Sequence, residues 1–122
     1  MKYLILMQVD PAVLESLSAE DSQAIGEGHQ SFIEQTTASG EMLSTHALGD
    51  PSQTTTIRGT GGKPEVIDGP FAETKEFMGG YYLIDVESKE RALELAQLIP
   101  DAGIRGLALE IRPVMFSAGA NM

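Results

Sequence analysis

The chain has 122 residues, with 18 acidic against 8 basic side chains for a net charge of −10, and no cysteine. A single domain is expected at that length, burying enough surface on folding to need neither a disulfide nor a structural metal. The lack of thiols excludes disulfides, thiolate catalysis and cysteine-held metals. The acidity, which no Lys/Arg cluster relieves, argues against a nucleic-acid partner.

The first ten residues, from Met1 to Asp10, hold one positive charge and a short apolar run that Asp10-Pro11 interrupts, too short for a secretory signal. No stretch approaches the ~18 consecutive apolar residues of a membrane span. A soluble, cytoplasmic protein with no membrane partner is expected. Lys2 to Val9 reads as a strand with apolar side chains on both faces, Tyr3, Ile5, Met7 and Val9 on one and Leu4 and Leu6 on the other. Ser18 is placed to cap a helix over Ala19–Ser39 that Gly40 closes; its apolar stripe carries Ile25, Phe32 and Ile33, with His29 inside it.

Met42–Leu48 reads as a strand, ended by Gly49-Asp50-Pro51. The β-branched run Thr54–Arg58 pairs with Glu65–Asp68 across a glycine-rich turn over 59–64, making a hairpin. A loop or single helical turn over 68–76 and then Gly79-Gly80 lead to a strand over Tyr81–Val86. Ser88 caps a second helix, Lys89 to about Ile99, which Pro100 ends, and Leu107–Val114 is the last strand. Residues 1–116 form the domain, with a flexible tail over 117–122.

The order is β-α-β-(β-β)-β-α-β, an α+β arrangement that becomes ferredoxin-like once the inserted hairpin is set aside. In that fold both helices cover one face of the sheet. The strands expected at its centre, Lys2–Val9 and Tyr81–Val86, are apolar on both faces, so a second copy covering the bare face is the expectation, and with it a homodimer.

The run Asp68-Gly69-Pro70-Phe71-Ala72-Glu73-Thr74-Lys75-Glu76, followed by Gly79-Gly80-Tyr81-Tyr82-Leu83-Ile84, resembles the signature of the DGPF-domain family within the YCII-related group. The likeness extends to the opening strand, the helix bearing His29, the strand Thr54–Arg58 and the closing Glu110-Ile111-Arg112-Pro113-Val114. It implies a ferredoxin-like domain assembled into a dimeric α/β barrel. It also implies a pocket where a histidine of the first helix meets an aspartate; His29 matches that position, and Asp68 is the aspartate of the signature. The occurrence of relatives beside sigma factors implies a regulatory alternative. His46 departs from the family pattern.

His29 is accordingly the candidate general base or acid and Asp68 its orienting partner or a second acid–base group, in a lyase- or isomerase-type proton transfer on a small molecule. A core histidine bonded to a backbone carbonyl is the plainer alternative for His29, and a strand-end turn is the plainer alternative for Asp68-Gly69-Pro70. Phe71, Glu73 and Lys75 are candidate rim residues, Lys75 being the nearby cation for an anionic ligand; solvated decoration of an exposed loop is the plainer alternative for the charges at Glu73, Lys75 and Glu76. Tyr81 and Tyr82 point to opposite faces, and Tyr81 is taken as the substrate-binding candidate. No cofactor is expected. A Walker A loop would need Gly at 57 and Ser or Thr at 64, where Ile57 and Pro64 stand, and His29, His46 and Asp68 lack metal-ligand spacing. A non-catalytic ligand-binding or regulatory module is the competing expectation.

Overall fold

The computed structural model describes residues 1–72 and 75–119. In chain order the elements are β1 (Lys2–Val9), α1 (Pro11–Ser16), α2 (Ala19–Ala38), β2 (Met42–Ala47), β3 (Thr55–Arg58), β4 (Glu65–Asp68), β5 (Phe77–Asp85), α3 (Lys89–Ala96) and β6 (Ala108–Pro113). Two 3-10 turns, Pro51–Gln53 and Pro100–Gly103, interrupt the connections. The main sheet has the order β2-β5-β1-β6 with every pairing antiparallel, and β3-β4 form a separate two-stranded ribbon. Without that ribbon, the strand order and two crossover helices are ferredoxin-like, as the sequence led us to expect.

Period-2 alternation decides which side chains meet the helices. On β1, Tyr3, Ile5 and Met7 are buried while Leu4 and Leu6 are half-buried. Tyr82 and Ile84 of β5 continue the buried face, and Phe32 of α2 with Ala92, Leu95 and Ala96 of α3 complete one core cluster. Each large aliphatic or aromatic side chain enclosed there contributes roughly 1.5–3 kcal/mol relative to exposure. Phe32 stacks obliquely on Tyr82, ring centroids 4.7 Å apart.

α2 starts and stops where its residues dictate. The Ser18 hydroxyl accepts from the Asp21 amide at 3.0 Å, and Glu20 and Asp21 lie against the positive end of the helix. At the far end Gly40 takes φ +77°, its amide donating to the Thr37 carbonyl and the Glu41 amide to that of Thr36, a six-to-one closure that only a left-handed residue permits readily. Arg91 of α3 then grips the Glu41 carboxylate with two hydrogen bonds of 2.9 Å, which holds that carboxyl below its usual range and ties α3 to the end of α2.

Three local features differ from the expectation. Asp10-Pro11 ends β1 but also starts α1: the Asp10 carboxylate caps the Ala12 amide and Pro11 occupies the first turn, where its missing N–H costs nothing. β5 begins at Phe77 instead of Tyr81, so Gly79 and Gly80 lie inside the strand. A Cβ on Gly80 would stand 2.7 Å from the His46 carbonyl oxygen, so the glycine is there for a close approach of strands, not for a turn. α3 ends at Ala96, and Pro100 begins a further turn of 3-10 helix instead of a loop. Of the tail expected over 117–122, residues 120–122 lie outside the described residues.

Candidate functional site

Helix α2 presents His29 to the sheet, half-buried, between Ile25 and Ile33. Its ring bridges two groups. Nε2 lies 2.8 Å from Asp101 Oδ1, and Nδ1 lies 2.6 Å from the Tyr82 hydroxyl. Asp101 belongs to the 3-10 turn after α3 and is 4% exposed, and Tyr82 is 2% exposed. The three residues come from three elements, and His29 and Asp101 stand 72 positions apart in the chain.

The approach of helix and turn depends on one missing side chain. A Cβ on Gly28 would sit 2.4 Å from Cγ of Pro100, so the residues immediately before His29 and Asp101 touch with nothing to spare. Gly28 lets the turn come close, and Pro100 fixes its start. That contact sets the His29–Asp101 distance.

A carboxylate accepts hydrogen bonds and cannot donate them, so Nε2 carries a proton and donates it to Asp101. In the neutral ring Nδ1 then holds the lone pair, and the Tyr82 hydroxyl donates to it. Burial, and secondly the negative charge of Asp101, push the Tyr82 phenol from 10.0 up to about 12. Its folded value lies above the unfolded one, so the associated stability is complete below pH 10 and is lost as the pH rises toward 12. An ultraviolet titration is expected to show one phenol ionising near pH 12 that is missing from Tyr82→Phe; an unchanged alkaline limb in that variant would count against the burial of this hydroxyl.

The triad forms the polar end of a cavity of about 390 Å³, whose remaining lining includes Met7, Val9, Leu14, Ile25, Ile33 and Leu107. Few polar groups converging in an apolar concavity are the usual composition of a small-molecule site. A larger concavity of about 520 Å³ lies between the β3-β4 ribbon and the end of the sheet, lined by Leu48, Pro51, Phe71, Phe77 and Met78 among others. Its carboxylate, Asp50, is held below the usual range by the Ser52 amide that it accepts from, as the cap of a turn. The hydrogen-bonded chain of His29, Asp101 and Tyr82 ends in the smaller cavity.

Asp68 is not the partner of His29. It sits exposed at the end of β4, opposite Thr55, and does not line the His29 cavity, while both ring nitrogens of His29 are taken by Asp101 and Tyr82. The turn that follows it is a stitch for the ribbon: Gly69 has φ +112°, its amide donates to the Thr54 carbonyl and its carbonyl accepts from the Thr56 hydroxyl at 2.6 Å.

Phe71 is 71% exposed beneath the Arg58 guanidinium, 5.5 Å from the ring centroid. Lys75 reaches Asp10 at 3.8 Å with its own side chain largely in solvent, an ion pair of little weight. Glu73 lies outside the described residues. Tyr81 faces away from the helices, its hydroxyl 2.7 Å from His46 Nδ1; the parity of β5, Tyr82 standing opposite Ile5, gives the cavity to Tyr82 instead. Among the described residues no three His, Asp or Glu side chains gather as a metal would require, and no helix is long and apolar enough to cross a membrane.

Asp101 and the choice of Tyr82 over Tyr81 escaped the sequence. An acidic residue just after Ile99-Pro100 was the available signal for the first: it sits in the opening turn of a helix-like segment that directly follows a buried isoleucine. The YCII-related domain model matches residues 1–115 of this chain. An uncharacterised protein of Rhizobium meliloti (strain 1021) is 31% identical over 114 residues, covering 93% of this chain and 92% of that protein.

Proposed function

This chain belongs to the YCII-related domain family, and from that premise we propose that it is a small-molecule enzyme moving a proton without a cofactor. His29 is the acid–base group, acting through the Tyr82 hydroxyl that it holds, and Asp101 is its orienting partner. The observation that carries this is the imidazole suspended between a buried carboxylate and a buried hydroxyl at the polar end of an apolar cavity. A carboxylate behind the ring fixes its tautomer and stabilises the imidazolium that forms when a proton is taken up. Asp68 keeps a structural part.

The test needs no known substrate. Wild type and His29→Gln are incubated in deuterium oxide with neutral carbon acids, namely cyclic ketones, lactones and β-dicarbonyls, and deuterium uptake is followed by proton NMR. Uptake into at least one compound, slowed at least ~100-fold in the variant, is expected. Compounds that bind without exchanging would favour the competing reading, a ligand-sensing module.

The working unit in this proposal is a homodimer joined through the sheet face that the helices leave bare. Leu4, Leu6 and Leu83 form a strip along its two central strands, Leu4 directly opposite Leu83, and Tyr81 extends it. Gln8 and Glu110, hydrogen-bonded at 2.9 Å, give it a polar margin. Among the described residues no element lies across the strip, and a second copy of the same face supplies an apolar partner of matching shape.

A further inference from the structure

The hydrogen-bond chain Asp101–His29–Tyr82 has a direction, and that direction selects a ligand. Each bond in the chain is committed by the one before it. In the neutral ring Asp101 accepts from Nε2–H, so Nδ1 accepts from the Tyr82 O–H. The hydroxyl hydrogen is thereby turned toward the histidine, and what remains of the Tyr82 oxygen for a ligand is its lone pairs.

Charge narrows the class further. The cavity lining holds Asp101 and no Lys or Arg; the cation once expected for an anionic ligand, Lys75, is paired with Asp10 and lies outside the lining. An anion entering would lose its water with no permanent cation to replace it and would face a buried carboxylate. A cation gains little, since the Asp101 carboxylate is already engaged by the ring. The other lining groups are mainly hydrocarbon; the polar ones, Thr45 and His46, are engaged by Tyr81, through its carbonyl at 2.8 Å and its hydroxyl at 2.7 Å.

We propose that the His29 cavity binds an uncharged, largely apolar molecule that offers a hydrogen-bond donor, an acidic O–H or an enol, to the oxygen of Tyr82. In this arrangement Tyr82 touches the ligand and His29 stands one bond behind it. A proton leaving the ligand would pass to the Tyr82 oxygen as the hydroxyl's own proton passes to Nδ1, leaving an imidazolium against Asp101 and a ligand anion, with charge and protons balanced. The selection rests on reading this cavity as the ligand site, as above, and does not require turnover there.

Three compounds built on one six-membered ring test it: phenol, which donates; anisole, which only accepts; and benzoate, which is anionic. Titrations of the wild-type protein followed by NMR are expected to show phenol binding about tenfold tighter than anisole, the cost of facing an acceptor with an acceptor, and benzoate weakest. Nitrogen-15 spectra of histidine-labelled protein are expected to show His29 protonated on Nε2 and bare on Nδ1. Anisole equal to or better than phenol, benzoate best, no binding by any of the three, or the Nδ1-protonated tautomer would each overturn the proposal. Donor preference without deuterium exchange in any carbon acid would retire the enzymatic reading and leave this one standing; exchange together with a preference for acceptors would do the reverse.

Discussion

Gly28→Ala is expected to destabilise the protein by about 1–3 kcal/mol, the usual cost of overpacking a tight contact, and to part His29 from Asp101. The same substitution two residues earlier, Gly26→Ala, is expected to stabilise it by about 1 kcal/mol. Both glycines lie on α2, and alanine is the better helix former at each. The difference is what the new methyl meets. At position 26 nothing stands within 4 Å, whereas at position 28 the rigid ring of Pro100 is 2.4 Å away and must move, carrying Asp101 with it. Urea denaturation of the two variants reads the opposite signs directly, and loss of the His29 tautomer signal should accompany Gly28→Ala alone. Two shifts of the same sign would mean that the helix and the 3-10 turn are not held together at this point.

Leu83→Asp is expected to have the largest effect on assembly. Leu83 is half-buried on the bare face of β5, at the centre of the strip opposite Leu4. In a dimer joined there, the substitution would enclose two carboxylates without partners, at a cost of several kcal/mol. Sedimentation equilibrium at micromolar concentration is expected to give twice the chain mass for wild type and the single chain mass for the variant. Leu98→Asp, at a side chain 56% exposed beyond the end of α3, should leave the dimer intact. A wild-type protein that sediments as one chain would remove the proposed interface.

What the sequence disclosed follows from how far apart the cooperating residues lie. Strands and helices are local, so the alternation in β1, the Ser18 and Ser88 caps and the Gly40 stop placed most of the fold. His29 was legible because a histidine inside an apolar helical stripe is conspicuous. Asp101 was not, because its meaning comes from a contact between α2 and a turn far along the chain, made possible by Gly28 and Pro100, neither of which carries chemistry. Asp68 is conspicuous in the sequence for its company of turn residues, and that company serves the ribbon. Tyr81 and Tyr82 differ by one step of parity, which only the side taken by the helices can settle.

A double-mutant cycle with His29→Gln and Asp101→Asn tests the pairing on which the site depends. Denaturation at neutral pH is predicted to give a coupling of about 1–3 kcal/mol between positions 29 and 101, as hydrogen-bonded partners of this kind show. The parallel cycle of His29→Gln with Asp68→Asn should be additive to within about 0.5 kcal/mol. Additivity between 29 and 101 would contradict the site as described here.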